Sequence, residues 1–125
     1  MTMIPRVEFE QLVAAALDDL PAFFHEKMSN VEVIIEPWPT SDLLQSAGVP
    51  PGQTLLGLYQ GVPLTQRGAH YQLALPDKIT IFQGPIEQVY RTPEAIRAGV
   101  RHTVIHELAH HFGISDARLH ELGAY

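Results

Sequence analysis

Apolar residues near the N-terminus recur at every third or fourth position, which places them on one side of a helix. This stripe predicts a first helix that faces a core. Pro21 lacks a backbone N–H and is disfavoured inside a helix, so we expect a break near Asp18 and Asp19 and a second helical segment over Ala22–Lys27. The stripe consists of Phe9, Leu12, Val13, Ala16, Leu17 and Leu20.

β-Branched runs and turn residues predict strands in the middle of the chain. The first run, Val31 to Ile35, ends at Glu36 because Pro37 and Pro39 remove backbone donors. Between the first and second strands, the composition indicates a surface segment with one helical turn over Leu43–Ala47. The further predicted strands are Thr54–Gln60, an outlying His70–Leu75, and Lys78–Gln83.

A long helix is predicted near the C-terminus. Pro93 suits the first helical position, Thr92 suits the N-cap, and Gly113 can adopt the left-handed backbone that ends a helix. Gly99 costs stability inside a helix, and we expect a strand to approach closely there. The apolar stripe of this long helix, which we expect to pack against the sheet, is Ile96, Val100, Val104 and Leu108.

The order of helix, strands and helix favours an α+β fold, and 125 residues fit one domain over residues 1–125.

A net charge of −6 with no basic cluster argues against nucleic acid as a partner. Because the sequence has no cysteine, disulfides, thiolate metal sites and cysteine nucleophiles are excluded. No signal peptide or apolar run of membrane-spanning length is evident, so we expect a cytoplasmic protein without membrane contact, by default a monomer.

The predicted long helix carries the candidate chemistry, in the pattern HExxHxxGxxD from His106 to Asp116. His106 and His110 are one turn apart on one helix face, and two imidazoles suit zinc. Glu107 is offset by one residue, so its carboxylate lies beside the ion and can take a proton from a metal-activated water. After Gly113 reverses the chain, Asp116 supplies a third ligand and leaves one position open, as in catalytic zinc sites.

These residues resemble the Asp-zincins, and three stretches look like the bacterial mini-zincins, also described as minimal matrix-metalloprotease-like proteins. The resemblance implies a zincin-like fold in which a small mixed sheet lies over the active-site helix. It also implies one Zn²⁺ ion on His106, His110 and Asp116, with Glu107 as catalytic base. The three stretches are LLGLYQGVPLTQR (Leu55–Arg67), LPDKITIF (Leu75–Phe82) and HELAHHFGISDARLHELG (His106–Gly123).

The larger metzincins have a methionine-containing turn beneath the metal. This sequence departs from them, because no methionine follows Asp116. Leu119 and Leu122 are our candidates for the floor of the metal site. His120 and Tyr125 are candidate donors to a developing oxyanion, although neither enters the predicted catalytic set.

Two other histidines of the long helix have weaker claims to the metal. His102 lies four residues before His106, so it forms an alternative pair, but a supporting or packing role fits it better. His111 points about 100° away from His110 around the helix, which indicates packing or solvent exposure.

The leading functional prediction is a zinc-dependent endopeptidase acting on peptides or proteins. The alternative is a zinc-binding module with a regulatory or structural role and little or no turnover. Iron, cobalt or manganese also suit nitrogen and oxygen ligands. Peptide deformylase shares HExxH but requires a cysteine ligand, which this sequence lacks.

Two predicted strands are candidates for the sheet edge to which an extended substrate would add as a further strand. They are Thr54–Gln60 and Lys78–Gln83.

Overall fold

A computed structural model describes residues 3–61 and 76–123. The described helices are α1 (Arg6–Asp18), α2 (Ala22–Lys27), α3 (Ser41–Ser46), α4 (Gln83–Val89), α5 (Pro93–Phe112) and α6 (Asp116–Glu121). The described strands are β1 (Val31–Glu36), β2 (Gly57–Gln60) and β3 (Asp77–Phe82). The predicted strand His70–Leu75 lies outside the described residues.

The three strands form a mixed sheet in the order β1-β3-β2. β1 runs parallel to β3, with Val31 opposite Asp77, whereas β2 runs antiparallel to β3, with Tyr59 opposite Ile79. The α+β class and the small mixed sheet are therefore confirmed. Since β3 lies between the other two strands, β2 is the edge strand of the two candidates within the described part of the chain.

Local signals at the helix ends are confirmed. The side chain of Thr92 accepts a hydrogen bond from the Ala95 amide at 3.1 Å, which caps α5, and Pro93 occupies its first turn. Gly113 ends α5 in the left-handed conformation, with φ of 66°. The break after Asp18 and the restart over Ala22–Lys27 also agree with the sequence pattern.

The long helix α5 packs against both α1 and the sheet. Its predicted stripe is buried, and β3 adds Ile79 and Ile81 to the same core. At the solvent-exposed side, Arg97 of α5 donates two hydrogen bonds, of 2.6 and 2.8 Å, to the carboxylate of Asp19, which directly follows α1. Helix α5 is thus held between α1 and the sheet, with its C-terminal half available to form a site.

Three strand boundaries differ from the prediction, the first being the start of β3, which lies at Asp77 and not at Lys78. β2 begins at Gly57, so Thr54 to Leu56 precede the strand, and β3 ends at Phe82 because Gln83 starts α4. Helices α4 and α6 were not predicted. Helix α4 contains Gly84 and Pro85 in its first turn, where proline is tolerated, and its seven residues are too few to give a clear periodicity.

The expected reason for Gly99 is wrong. A Cβ at this position would lie 2.3–2.6 Å from ring atoms of Tyr90, so the neighbour that requires glycine is an aromatic side chain and not a strand. Tyr90 directly follows α4, and its ring occupies the space that a side chain at position 99 would need. The sequence indicated a close contact but carried no information about which element makes it.

No helix in the described ranges is long and apolar enough to cross a bilayer.

Candidate active site

The HExxH segment lies in the C-terminal half of α5 and lines a cavity of about 580 Å³. The imidazole rings of His106 and His110 approach with their centroids 4.3 Å apart, as expected for residues one helical turn apart on one face. His106 is half-buried and His110 is exposed. Residues 54–58, which run into β2, also line the cavity.

The carboxylate of Glu107 is held by the edge strand. Its Oε1 accepts a hydrogen bond of 2.9 Å from the backbone amide of Tyr59, which lies in β2. Glu107 is half-buried and also lines the cavity. The glutamate therefore lines the same cavity as the histidine pair.

Tyr59 connects the strand to the end of the helix through its side chain as well. Its hydroxyl donates a hydrogen bond of 2.6 Å to Oδ2 of Asp77, and its ring stacks on His111 with a centroid separation of 3.9 Å. Burial raises the pKa of the Tyr59 hydroxyl, and the hydrogen bond to Asp77 and the aspartate charge raise it further. The tyrosine therefore remains a neutral hydrogen-bond donor.

Asp116 occupies the first position of α6, where it is exposed to solvent. The chain reaches it from α5 through Gly113, and the side chain of Ser115 caps α6 by accepting a hydrogen bond from the Arg118 amide. Within residues 3–61 and 76–123, no three His, Asp or Glu side chains form a group arranged to hold a metal ion. The structure thus brings His106 and His110 together but does not gather Asp116 with them, and its role as third ligand stays a prediction.

The remaining candidates occupy distinct places. His102 lines the same cavity, and its ring is stacked at 6.2 Å from that of His106. His111 turns away from the cavity to stack on Tyr59, as its position around the helix predicts.

Leu119 is buried in the core and Leu122 packs against it, while their role beneath a metal stays a prediction. His120 is exposed, and Tyr125 lies outside the described residues.

Sequence reasoning missed Tyr59 and Asp77. Tyr59 belonged to a predicted strand, and Asp77 stood just before another, but neither forms part of a recognisable spacing motif. Their contacts with the HExxH segment depend on β2 and β3 being neighbours in the sheet, which a local pattern does not encode.

A family model of zincin-like metallopeptidases matches residues 28–124. Since this match covers most of the chain, the protein belongs to the zincin-like metallopeptidase family. Family membership agrees with the mixed sheet and long helix, and it implies zinc as the metal and a peptide or protein as the substrate. No curated protein matches this chain.

Proposed function

We propose that this protein is a zinc-dependent endopeptidase in which Glu107 acts as general base. One observation carries the proposal: the imidazoles of His106 and His110 and the carboxylate of Glu107 line the same cavity. Two neighbouring imidazoles fit the ligand preference of zinc, and we assign Asp116 as the third ligand. A zinc ion bound there would polarise a peptide carbonyl and make water acidic enough to lose a proton near neutral pH.

The proton transfers fall to Glu107. Because its Oε1 accepts the Tyr59 amide hydrogen bond, Oε2 is the oxygen that takes the proton from the attacking water. The same oxygen returns that proton to the amine leaving group as the peptide bond breaks. General acid–base catalysis of this kind contributes roughly 10²- to 10⁴-fold to a reaction rate.

The edge strand provides the surface for an extended substrate. Residues 54–58 line the same cavity as the histidines, and an added peptide strand could pair with their backbone. Glu107 already accepts the amide hydrogen of Tyr59, so the pairing would involve residues before Tyr59. A substrate held along its backbone in this way is cleaved at an internal bond, which favours an endopeptidase.

The first test compares the wild-type protein with Glu107→Gln on a mixed peptide library, with products identified by mass spectrometry. We expect the wild type to cleave internal bonds and the variant to lose at least about 100-fold in rate. Zinc content should stay at the wild-type level, because Glu107 is not among the assigned ligands. Equal cleavage by the variant would remove Glu107 from the reaction.

The second test addresses the metal ligands and the alternative of a zinc-binding module. Elemental analysis should find one zinc per chain, and Asp116→Ala and His106→Ala should each lower zinc affinity by at least about tenfold. Unchanged affinity in Asp116→Ala would exclude it as a ligand. If chelation lowers the melting temperature of a protein that cleaves nothing even with zinc, the module is correct and the peptidase is not.

A further inference from the structure

Tyr59 contacts two residues of α5 that lie one helical turn apart. Its backbone amide donates to Glu107, and its ring stacks on His111, the residue four positions later on the same helix face. Its hydroxyl donates to Asp77, the first residue of β3. A single strand residue therefore joins the proposed general base, the end of the HExxH helix and the neighbouring strand.

We infer that Tyr59 is a positioning residue for Glu107 and that Asp77 holds it in place. The inference rests on the proposed function, since it concerns the orientation of the general base. In this positioning role, Tyr59 contacts neither substrate nor metal. It acts through the amide hydrogen bond that fixes one oxygen of the Glu107 carboxylate.

A glutamate side chain has several rotatable bonds, so a carboxylate that must transfer protons needs an external restraint. The Tyr59 amide provides one because a backbone N–H within a strand cannot rotate independently. The restraint is only as rigid as β2, which has four residues. Anything that holds Tyr59 therefore also holds the carboxylate of Glu107.

Asp77 provides that hold from within the sheet. Tyr59 lies opposite Ile79 in the antiparallel register, so Asp77 is its diagonal neighbour on the same sheet face. The side chain of Asp77 is mostly buried, and its Oδ2 also lies 4.0 Å from Nε2 of His111. Tyr59, Asp77 and His111 thus form one cluster, which we call the Tyr59 cluster, on the side of β2 next to the end of α5.

The most direct experiment replaces Tyr59 by phenylalanine, which keeps the ring stacked on His111 and removes only the hydroxyl. We expect kcat to fall about fivefold to tenfold, the effect of losing one hydrogen bond, while KM stays within about twofold. Zinc affinity should not change. A drop in zinc affinity or a rise in KM with unchanged kcat would overturn the inference.

A second readout follows the backbone amide at position 59 by NMR hydrogen exchange and does not depend on activity. Exchange should accelerate about fivefold to tenfold in Tyr59→Phe, because β2 is held less firmly, and at least as much in Glu107→Ala, because the acceptor is gone. Wild-type exchange rates in both variants would contradict the coupling.

Asp77 variants and a remote variant complete the design. Asp77→Asn keeps a hydrogen-bond acceptor and should retain most of the wild-type kcat, whereas Asp77→Ala should resemble Tyr59→Phe. Equal losses in the two variants would contradict the role of the hydrogen bond. Asp19→Asn weakens an interhelical contact to Arg97, about 15 Å along α5 from Glu107, and should leave kcat and the exchange rate at position 59 unchanged.

The proposed peptidase activity and the positioning role of Tyr59 can be refuted separately. A wild-type protein that cleaves no peptide refutes the proposed function, and the exchange measurements then still decide whether Tyr59 restrains Glu107. If the wild type is active and Tyr59→Phe matches it in kcat and exchange, the positioning role is refuted and the peptidase stands.

Discussion

A Cβ on Gly57 would lie 2.8 Å from the methyl carbon of Thr103, closer than side-chain atoms tolerate. The same Cβ would lie 3.1 Å from the carbonyl oxygen of Thr80 in β3. Glycine therefore lets β2 run directly against α5. Because Thr103 is one turn before Glu107, this close approach also sets the distance over which the strand amide reaches the glutamate.

Gly57→Ala should push β2 away from α5. We expect the protein to lose about 1–3 kcal/mol in free energy of unfolding, the usual cost of overpacking, together with much of its peptidase rate. Urea denaturation and peptide cleavage measure the two effects.

A matched double variant tests this cause. Thr103→Ser removes the methyl group and retains the hydroxyl that donates to the Gly99 carbonyl at 2.8 Å. Combining it with Gly57→Ala should recover part of both stability and rate, which gives a favourable coupling energy in a double-mutant cycle. Strictly additive effects would show that the methyl contact is not the obstacle.

Gly99→Ala should destabilise the protein, although helix propensity alone predicts that it would be stabilising. Alanine inside a helix is ordinarily favoured over glycine by about 1 kcal/mol. Here the new Cβ would meet the ring of Tyr90 at 2.3–2.6 Å, so we expect a net destabilisation. Urea unfolding decides the sign, and a gain in stability would mean that the Tyr90 ring moves aside at little cost.

The ion pair between Asp19 and Arg97 should make stability depend on pH in the acidic range. The hydrogen bond from Arg97 is the main cause that lowers the pKa of Asp19. Burial opposes this shift, and the charges of Arg97 and Arg101 lower the pKa further, so that it lies below its ordinary value. Because the pKa is lower in the folded protein, the stabilisation is fully present above the unfolded value, about 3.9. It is lost as pH falls through the folded value.

Melting temperatures of the wild type and Asp19→Asn measured from pH 7 to pH 2 test this linkage. The wild type should melt at a higher temperature at neutral pH, and the difference should shrink as the solution becomes acidic. Added salt should also reduce it, because both side chains are exposed. A difference independent of pH would exclude the carboxylate charge as its source.

Gly113 should couple helix termination to metal binding. With φ of 66°, it adopts a conformation that costs most residues about 1–2 kcal/mol, so Gly113→Ala should destabilise the protein by about that amount. Since Gly113 redirects the chain toward Asp116, zinc affinity should fall as well. Asparagine tolerates this conformation better, so Gly113→Asn should show smaller losses in both chemical denaturation and zinc titration.

Local features were predicted well because their causes lie within a few residues. The proline at position 21 interrupts the N-terminal helix, Thr92 caps α5, and Gly113 ends it, as the sequence indicates. The pairing of His106 with His110 follows from helical geometry in the same way. Short elements such as α4 and α6 were missed, because six or seven residues give too little periodicity to distinguish them from loops.

The chain's own order of residues determined the class of fold, the long helix and the side chains available for chemistry, since these depend on periodicity, capping and spacing. Tertiary structure determined which strand borders the cavity. It also determined that the ring of Tyr90 packs against Gly99 and that the Tyr59 amide reaches Glu107. Those relationships join residues as much as 48 positions apart, as in the bond between Tyr59 and Glu107. They arise only when helix and sheet pack together, because packing and not sequence distance brings such groups within reach.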